Sequence, residues 1–242
     1  MNSSTALQMI DIHLSTLFTC DADGRLRYTQ EPGYDEFELD PAPRFYIGRT
    51  LQGNIWRFRH DLPSALVRDL EQLCRSEPVT VNLANQPHDA APIRAALSMH
   101  APISEEECGP AYWIPEGIQA PGNVMLISET NTHILETNFP WTLTSLSGFK
   151  TDPLTAAVVE GNAVSICFCA RLSPWAAEAG VETVEAFRGQ GFASAAVAGW
   201  ASAVRQRGGL IPLYSTWWEN AASQAVARKL GMALYAVDWW VI

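Results

Sequence analysis

The sequence has no apolar run approaching the roughly 20 residues that cross a bilayer, and so no membrane-spanning helix is expected. The N-terminus, MNSSTALQMIDIHL, has neither a basic region nor a clean apolar stretch behind it, so no secretory signal is expected and the cytoplasm is the expected compartment. Cysteine is sparse and odd in number: Cys20, Cys74, Cys108, Cys167 and Cys169 make a poor disulfide framework. Cys167 and Cys169 alternate in VSICFCARL and share one face of a strand, with no further soft ligands nearby. They read as buried thiols of a reducing compartment. His13, His60, His88, His100 and His133 show no metal-ligand spacing and read as structural, so no metal is expected. Repeats and low-complexity stretches are absent. Charged residues are only 17% and hydrophobic residues 48%, a composition that excludes disorder and supplies a substantial core.

Positive charge is in deficit. The net charge is -10, unevenly spread: residues 1–122 hold 17 acidic and 9 basic side chains (-8), residues 123–242 hold 9 and 7 (-2). Glu31, Asp35, Glu36, Glu38 and Asp40 form one acidic group, and Glu105, Glu106 and Glu107 another. Such a surface repels nucleic acid and anionic membranes and attracts cations. It also reads, more simply, as a solubilising surface.

The 242 residues suffice for one large domain or two small ones. Residues 13–60 read as strands and turns: LSTLFTC and RLRYTQ flank DADG, and PRFYIGRT and NIWRFRH flank LQG. SALVRDLEQLCRSEP reads as a helix with Leu66, Leu70 and Leu73 in a stripe. Residues 101–123 carry Pro102, Pro110, Pro115 and Pro121 and read as a linker. From there an alternating pattern begins. NVMLI is a strand and PWTLTSL a short helix. TAAVVEG and AVSICFCARL form a hairpin turning at Glu160-Gly161-Asn162. AEAGVETVEAF is a strand with Val181 and Thr183 on one face. FASAAVAGWASAVRQRGG is a helix with Val197, Trp200 and Val204 inward, ending in Arg205, Arg207 and Gly208. LIPLYSTWW, ENAASQAVARKLG and MALYAVDWWVI follow as strand, helix and strand.

Chemistry concentrates in Arg188-Gly189-Gln190-Gly191-Phe192-Ala193, a turn between a strand and a helix. Glycines let the backbone approach a ligand closely. The helix start offers unpaired N–H groups and a positive dipole end. Together with Arg188 they suit a pyrophosphate, although a short glycine-rich turn before a helix is also an ordinary connection.

This segment resembles the R/Q-x-x-G-x-G/A acyl-CoA loop of the GNAT (Gcn5-related N-acetyltransferase) superfamily. The resemblance continues through Val181-Glu182-Thr183 before it, and through Asn220-Ala221-Ala222-Ser223 and Arg228-Lys229-Leu230-Gly231-Met232 after it, which are similar to that family's N-x-x-S/A and K-L-G-F segments. It covers about half of the chain. It implies an α+β (α/β-like) chain with the GNAT fold, a mixed central sheet flanked by helices: an acyl-CoA-binding catalytic core over 121–242 and an additional N-terminal α+β region over 1–120 that contributes to the acceptor site. It further implies an acetyltransferase using acetyl-CoA as acyl donor. Arg188, Gly189, Gln190, Gly191, Phe192 and Ala193 would hold the pyrophosphate through their N–H groups. Thr183 and Val184 would pair with the pantetheine arm, and Asn220 would touch that arm or the neighbouring backbone.

Direct acyl transfer needs a neutral amine, a proton acceptor and a donor for the departing thiolate. Family members place a Glu on the strand before the loop; Glu178 and Glu182 are the candidates. Glu178 is favoured because A-E-A-G resembles the A-E-I-G of relatives, with a spacing to the arginine one residue shorter. Either also reads as a solvent-facing strand carboxylate. The family's acid, a Tyr seven residues after the Asn, is here Ala227. Ser223, Tyr214 or water would replace it. Asp238 and the carboxylate of Ile242 lie on the last strand, near where substrates reach family sites. Trp113, Trp141, Trp175, Trp217, Trp218, Trp239 and Trp240 are core residues or a flat wall for a substrate ring.

The fold leaves the acceptor open. The acidic first half favours a small cationic amine, with an aminoglycoside as the leading choice, and the layout is similar to aminoglycoside 2'-N-acetyltransferases of the kasugamycin-resistance type. A protein or peptide N-acetyltransferase and a non-catalytic acyl-CoA sensor are the alternatives. No nucleic acid or membrane partner is expected, and a homo-oligomer stays open.

Overall fold

The computed structural model describes residues 5–34, 38–145 and 152–242. Helix α1 (Ala6–Leu17) comes first. Thr5 caps it: its hydroxyl accepts the Gln8 N–H at 3.2 Å while the Gln8 side chain accepts the Thr5 N–H at 2.8 Å. This corrects the reading of LSTL as strand. Met9, Ile10, His13 and Leu14 recur at helical spacing and are buried together. Only Phe18–Cys20 remains as β1, paired antiparallel with β2 (Leu26–Thr29) across the Asp21–Gly24 turn. Asp35 and Glu36 of the acidic group lie outside the described residues.

Strands β3 (Phe45–Thr50) and β4 (Gly53–Phe58) form the expected hairpin, followed by α2 (Ser64–Ser76). A helix that the sequence reading did not assign, α3 (Ala90–His100), packs with α2 on a core of Leu70, Cys74, Ile93 and Leu97. Glu77 joins the two helices: its carboxylate oxygens accept the N–H groups of His88 (3.0 Å) and Asp89 (2.9 Å), and Arg49 Nε lies 3.6 Å away. The Glu77–His88–Asp89 cluster is therefore a closure of the α3 start, its acceptors already engaged.

The linker expected over 101–123 is corrected by β5 (Glu106–Trp113), which runs through its middle. Pro110 is tolerated there because its missing N–H faces the end of β10 (Ile211–Ser215), where Thr216 donates to the Pro110 carbonyl at 3.2 Å. The remaining elements follow the sequence pattern: β6 (Val124–Leu126), α4 (Thr142–Ser145), β7 (Thr155–Val159), β8 (Asn162–Leu172), β9 (Ala176–Thr183), α5 (Phe192–Gln206), then β10, α6 (Ala221–Lys229) and β11 (Ala233–Val241). Leu146 of the expected short helix lies outside the described residues.

Among the described residues, nine strands form one sheet in the order β4-β3-β11-β5-β10-β9-β8-β7-β6. The sheet runs across the 120–121 boundary, because β5 lies between β11 and β10. Among the described residues, β9 and β10 are the one parallel pair. Helices α5 and α6 cover one face, with Trp200, Val197 and Val204 packed on Cys167, Cys169, Ala177 and Tyr214. Cys74, Cys167 and Cys169 are buried free thiols; Cys20, by contrast, is exposed. Helix α1 covers the other face. There Gly48 lets the α1 backbone come close, since a Cβ would overlap the Ile10 side chain. No described helix is long and apolar enough to cross a membrane.

Candidate active site

β9 and β10 pair only through Ala176–Glu178 and Ile211–Leu213. Beyond that point β9 stays with β8 and β10 stays with β5, so the two strands part into a fork. Glu178 sits at its base on the α1 face. The carboxylate is buried, not the solvent-facing group that a strand carboxylate often is. Its Oε1 accepts the Ser215 N–H at 2.6 Å and the Ser215 hydroxyl at 2.8 Å. Burial pushes its pKa up to about 7; Asp238 adds to the rise, while the Ser215 hydrogen bonds and Arg171 oppose it. Glu182, four residues on, is exposed and accepts the Trp141 indole N–H at 3.2 Å.

A cleft of about 820 Å³ opens on the α5 face of the fork. Thr183, Val184, Arg188, Gly189, Gly191, Phe192, Ala193, Asn220, Glu182 and Ser223 all line it. Gln190 does not; its amide donates to the Ala186 carbonyl at 3.0 Å and braces the turn. Val184 donates its N–H to Val164 at 3.0 Å, so by strand alternation the backbone groups of Val181 and Thr183 face the open fork. Arg188 likewise spends its N–H on Glu185 (3.1 Å), and its Nε donates to the Thr183 carbonyl (3.3 Å). Among the described residues no acceptor takes the N–H groups of Gly189 through Ser194, a row of free donors at the α5 start. Gly191 makes the turn at φ 93°, and a Cβ there would overlap the Lys229 ammonium, which lies over the loop. The loop thus combines free amides, a helix dipole and a cation, the donor set for a pyrophosphate.

Asn220 caps α6, its Oδ1 accepting the Ser223 N–H at 3.0 Å. Ala227 is buried in the core. Tyr214 reaches the same cleft from β10 and donates its phenol to the Ser223 carbonyl at 3.3 Å. Burial raises that phenol to about 12, against the opposing Ser223 hydrogen bond, so it keeps its proton near neutral pH.

On the α1 face, a second cavity of about 250 Å³ is lined by Ser215, Asp238, Glu107, Arg171, Trp217 and Trp240, with Leu17, Phe18, Pro41 and Pro43 from the first 120 residues. Asp238 is buried, which pushes it up to about 7, helped by Glu107. Glu107 is raised too, by burial and by Glu105 and Glu219. Arg171 is engaged with Glu31 at 3.4 Å. Trp239 is core, whereas Trp217 is 45% exposed at the cavity mouth. Sequence reasoning did not single out Ser215; it named Glu107 only within an acidic group and Lys229 only within the K-L-G segment. Only the fold brings Ser215 to Glu178, across a 37-residue separation.

The forked parallel pair thus lies beside a row of free amides, with one cleft running past both. Residues 122–236 match the family described as GNAT acetyltransferase. Proteins of this family use acetyl-CoA. The fold extends over the whole chain in a GCN5-related N-acetyltransferase-like protein from Streptococcus suis 89/1591, which is similar over 99% of this chain and 100% of its own, with 17% identity and a TM-score of 0.50. A GNAT-family protein from Novosphingobium aromaticivorans DSM 12444 is 16% identical with a TM-score of 0.43, covering 57% of this chain; this chain spans 65% of that protein. The aminoglycoside N-acetyltransferase AAC(6')-Iy, in complex with CoA, is 15% identical with a TM-score of 0.38 over 46% of this chain and 92% of its own, too distant to argue for a substrate. No curated protein matches the sequence.

Proposed function

We propose that the protein transfers the acetyl group of acetyl-CoA to an amine of a small cationic molecule, best fitted by an aminoglycoside of the kasugamycin kind. The observation that carries this is the Glu178–Ser215 pair. Glu178 stands at the base of the fork, and Ser215, bonded to it, lines the acidic cavity on the opposite face. Acetyl-CoA, when bound, supplies the thioester. The amides of Gly189 to Ser194, Lys229 and Arg188 are suited to its pyrophosphate, and Val181 and Thr183 to its arm.

The acceptor enters on the α1 face. Asp238 and Glu107 attract its ammonium groups, and Trp217 and Trp240 offer flat apolar faces. The amine proton passes to the Ser215 oxygen as the Ser215 hydroxyl proton passes to Glu178 Oε1. A carboxyl near pH 7 is matched to that task. The leaving thiolate takes its proton from Tyr214, a phenol that the Ser223 carbonyl anchors where Ala227 offers no hydroxyl. The first 120 residues supply one wall of the acceptor cavity.

The test is CoA release and product mass with acetyl-CoA and, in turn, kasugamycin, spermidine and a peptide array. Acetylated kasugamycin, absent with Glu178→Gln, supports the reading. Acetylated peptides alone would establish the peptide alternative, and acetyl-CoA binding without transfer to any amine would establish a sensor.

A further inference from the structure

Helix α1 lies outside the family-matched segment, yet it sets a titratable side chain against the proposed base. His13 is fully buried on the α1 face. Its Nε2 lies 3.4 Å from Glu178 Oε2, and its Nδ1 lies 3.0 Å from the Tyr235 hydroxyl. Neither His13 Nε2 nor Glu178 Oε2 has a hydrogen-bond partner of ordinary geometry among the described residues, although both are fully enclosed. Buried polar atoms without partners are costly. The two lie 3.4 Å apart, within reach of each other.

The tautomer follows from the surroundings. Burial pushes the imidazole down to about 4, so near neutral pH it carries one N–H. Burial raises the Tyr235 phenol well above its ordinary value, so it keeps its proton and donates to Nδ1. The ring proton is thereby left on Nε2, 3.4 Å from Oε2. Because Ser215 already holds Oε1, a donor on Oε2 fixes the second arm of the carboxylate.

We propose that His13 is a positioning residue for the base: as the Nε2–H tautomer fixed by Tyr235, it hydrogen-bonds Glu178 Oε2 when that carboxylate ionises and holds it in the fork. This rests on Glu178 being the proton acceptor. The other groups coupled to Glu178 by hydrogen bond or charge are Ser215 and Tyr214 on β10, Asp238 and Tyr235 on β11, Tyr46 on β3, and Arg171 and Cys167 on β8. Of these, Arg171 favours the ionised form and Asp238 opposes it.

The test uses the full chain with ¹⁵N-labelled His and side-chain ¹³C-labelled Glu, the signals assigned with His13→Gln and Glu178→Gln. In the wild type the His13 ring should be neutral and protonated on Nε2 from about pH 5 upward, given an ordinary His value near 6.5. In His13→Leu the Glu178 midpoint should rise by about one unit, and in the near-isosteric Tyr235→Phe by a smaller amount in the same direction. The acid limb of kcat/KM should move with it, while KM for acetyl-CoA stays constant. A ring protonated on Nδ1, or a Glu178 midpoint that does not move in Tyr235→Phe, overturns the proposal without touching the role of Glu178. Unimpaired transfer in Glu178→Gln would instead remove the base reading and leave the His13–Glu178 linkage measurable.

Discussion

Glu178 Oε1 lies 2.6 Å from the Ser215 amide nitrogen and 2.8 Å from its hydroxyl oxygen, at the last point where β9 and β10 are paired. These two donors stabilise the ionised carboxylate against the burial that raises it to about 7. Ser215→Ala removes one donor and the proposed proton path. The acid limb of kcat/KM should move up by about one unit and the plateau should fall by tenfold or more. A pH–rate profile from pH 6 to 9 measures both; an unchanged plateau would leave Ser215 as a hydrogen-bond donor only.

Gly191 tests the cleft on the other face. Its φ of 93° costs an alanine on the order of 1–2 kcal/mol, and the added Cβ would displace the Lys229 ammonium. Gly191→Ala should weaken acetyl-CoA binding about tenfold or more, read by calorimetry, with acceptor binding unchanged.

Tyr214 and Ser223 separate the two hydroxyls of the cleft. Tyr214→Phe should lower kcat about tenfold or more with KM for acetyl-CoA nearly constant. Ser223→Ala, which keeps the carbonyl that the phenol uses, should change kcat much less. Steady-state kinetics decide; the reverse order would return the acid role to Ser223.

Asp238 links site chemistry to stability. Its folded-state pKa, near 7, is above the unfolded value near 4, so the native state holds a proton that the unfolded chain releases. Its burial is tolerated below about pH 4 and becomes destabilising as pH rises through 7. Glu178 acts in the same direction. His13, depressed to about 4, acts in the opposite direction between about pH 4 and its unfolded value near 6.5. Asp238→Asn should therefore raise stability at pH 8 by on the order of 1–3 kcal/mol and far less at pH 5. Urea unfolding at the two pH values measures it.

The C-terminal half was legible because its signals are local. The glycine turn, the Asn220 cap and the inward Val197, Trp200 and Val204 sit next to each other in sequence. Most residues that line the large cleft could be read for the same reason. The linker over 101–123 was misread because proline normally breaks a central strand. At Pro110 the break is avoided by where β10 ends, which no local pattern records. LSTL was misread because a β-like run, LSTLFTC, straddles the end of α1. Glu178 was singled out as a candidate from a four-residue pattern. Its partners Ser215, His13 and Asp238 were not, because they arrive from β10, α1 and β11 and meet only in the assembled sheet.

The central claim is that Glu178, through Ser215, is the final acceptor of the proton lost by the amine. It is tested most directly by Glu178→Gln, which keeps the side chain's size and one acceptor oxygen for Ser215. With an acceptor found in the amine screen, kcat/KM at pH 7.5 should fall by about 10²–10³-fold, with the acid limb abolished and acetyl-CoA affinity unchanged. Transfer within about threefold of wild type, still titrating near pH 7, would contradict the account.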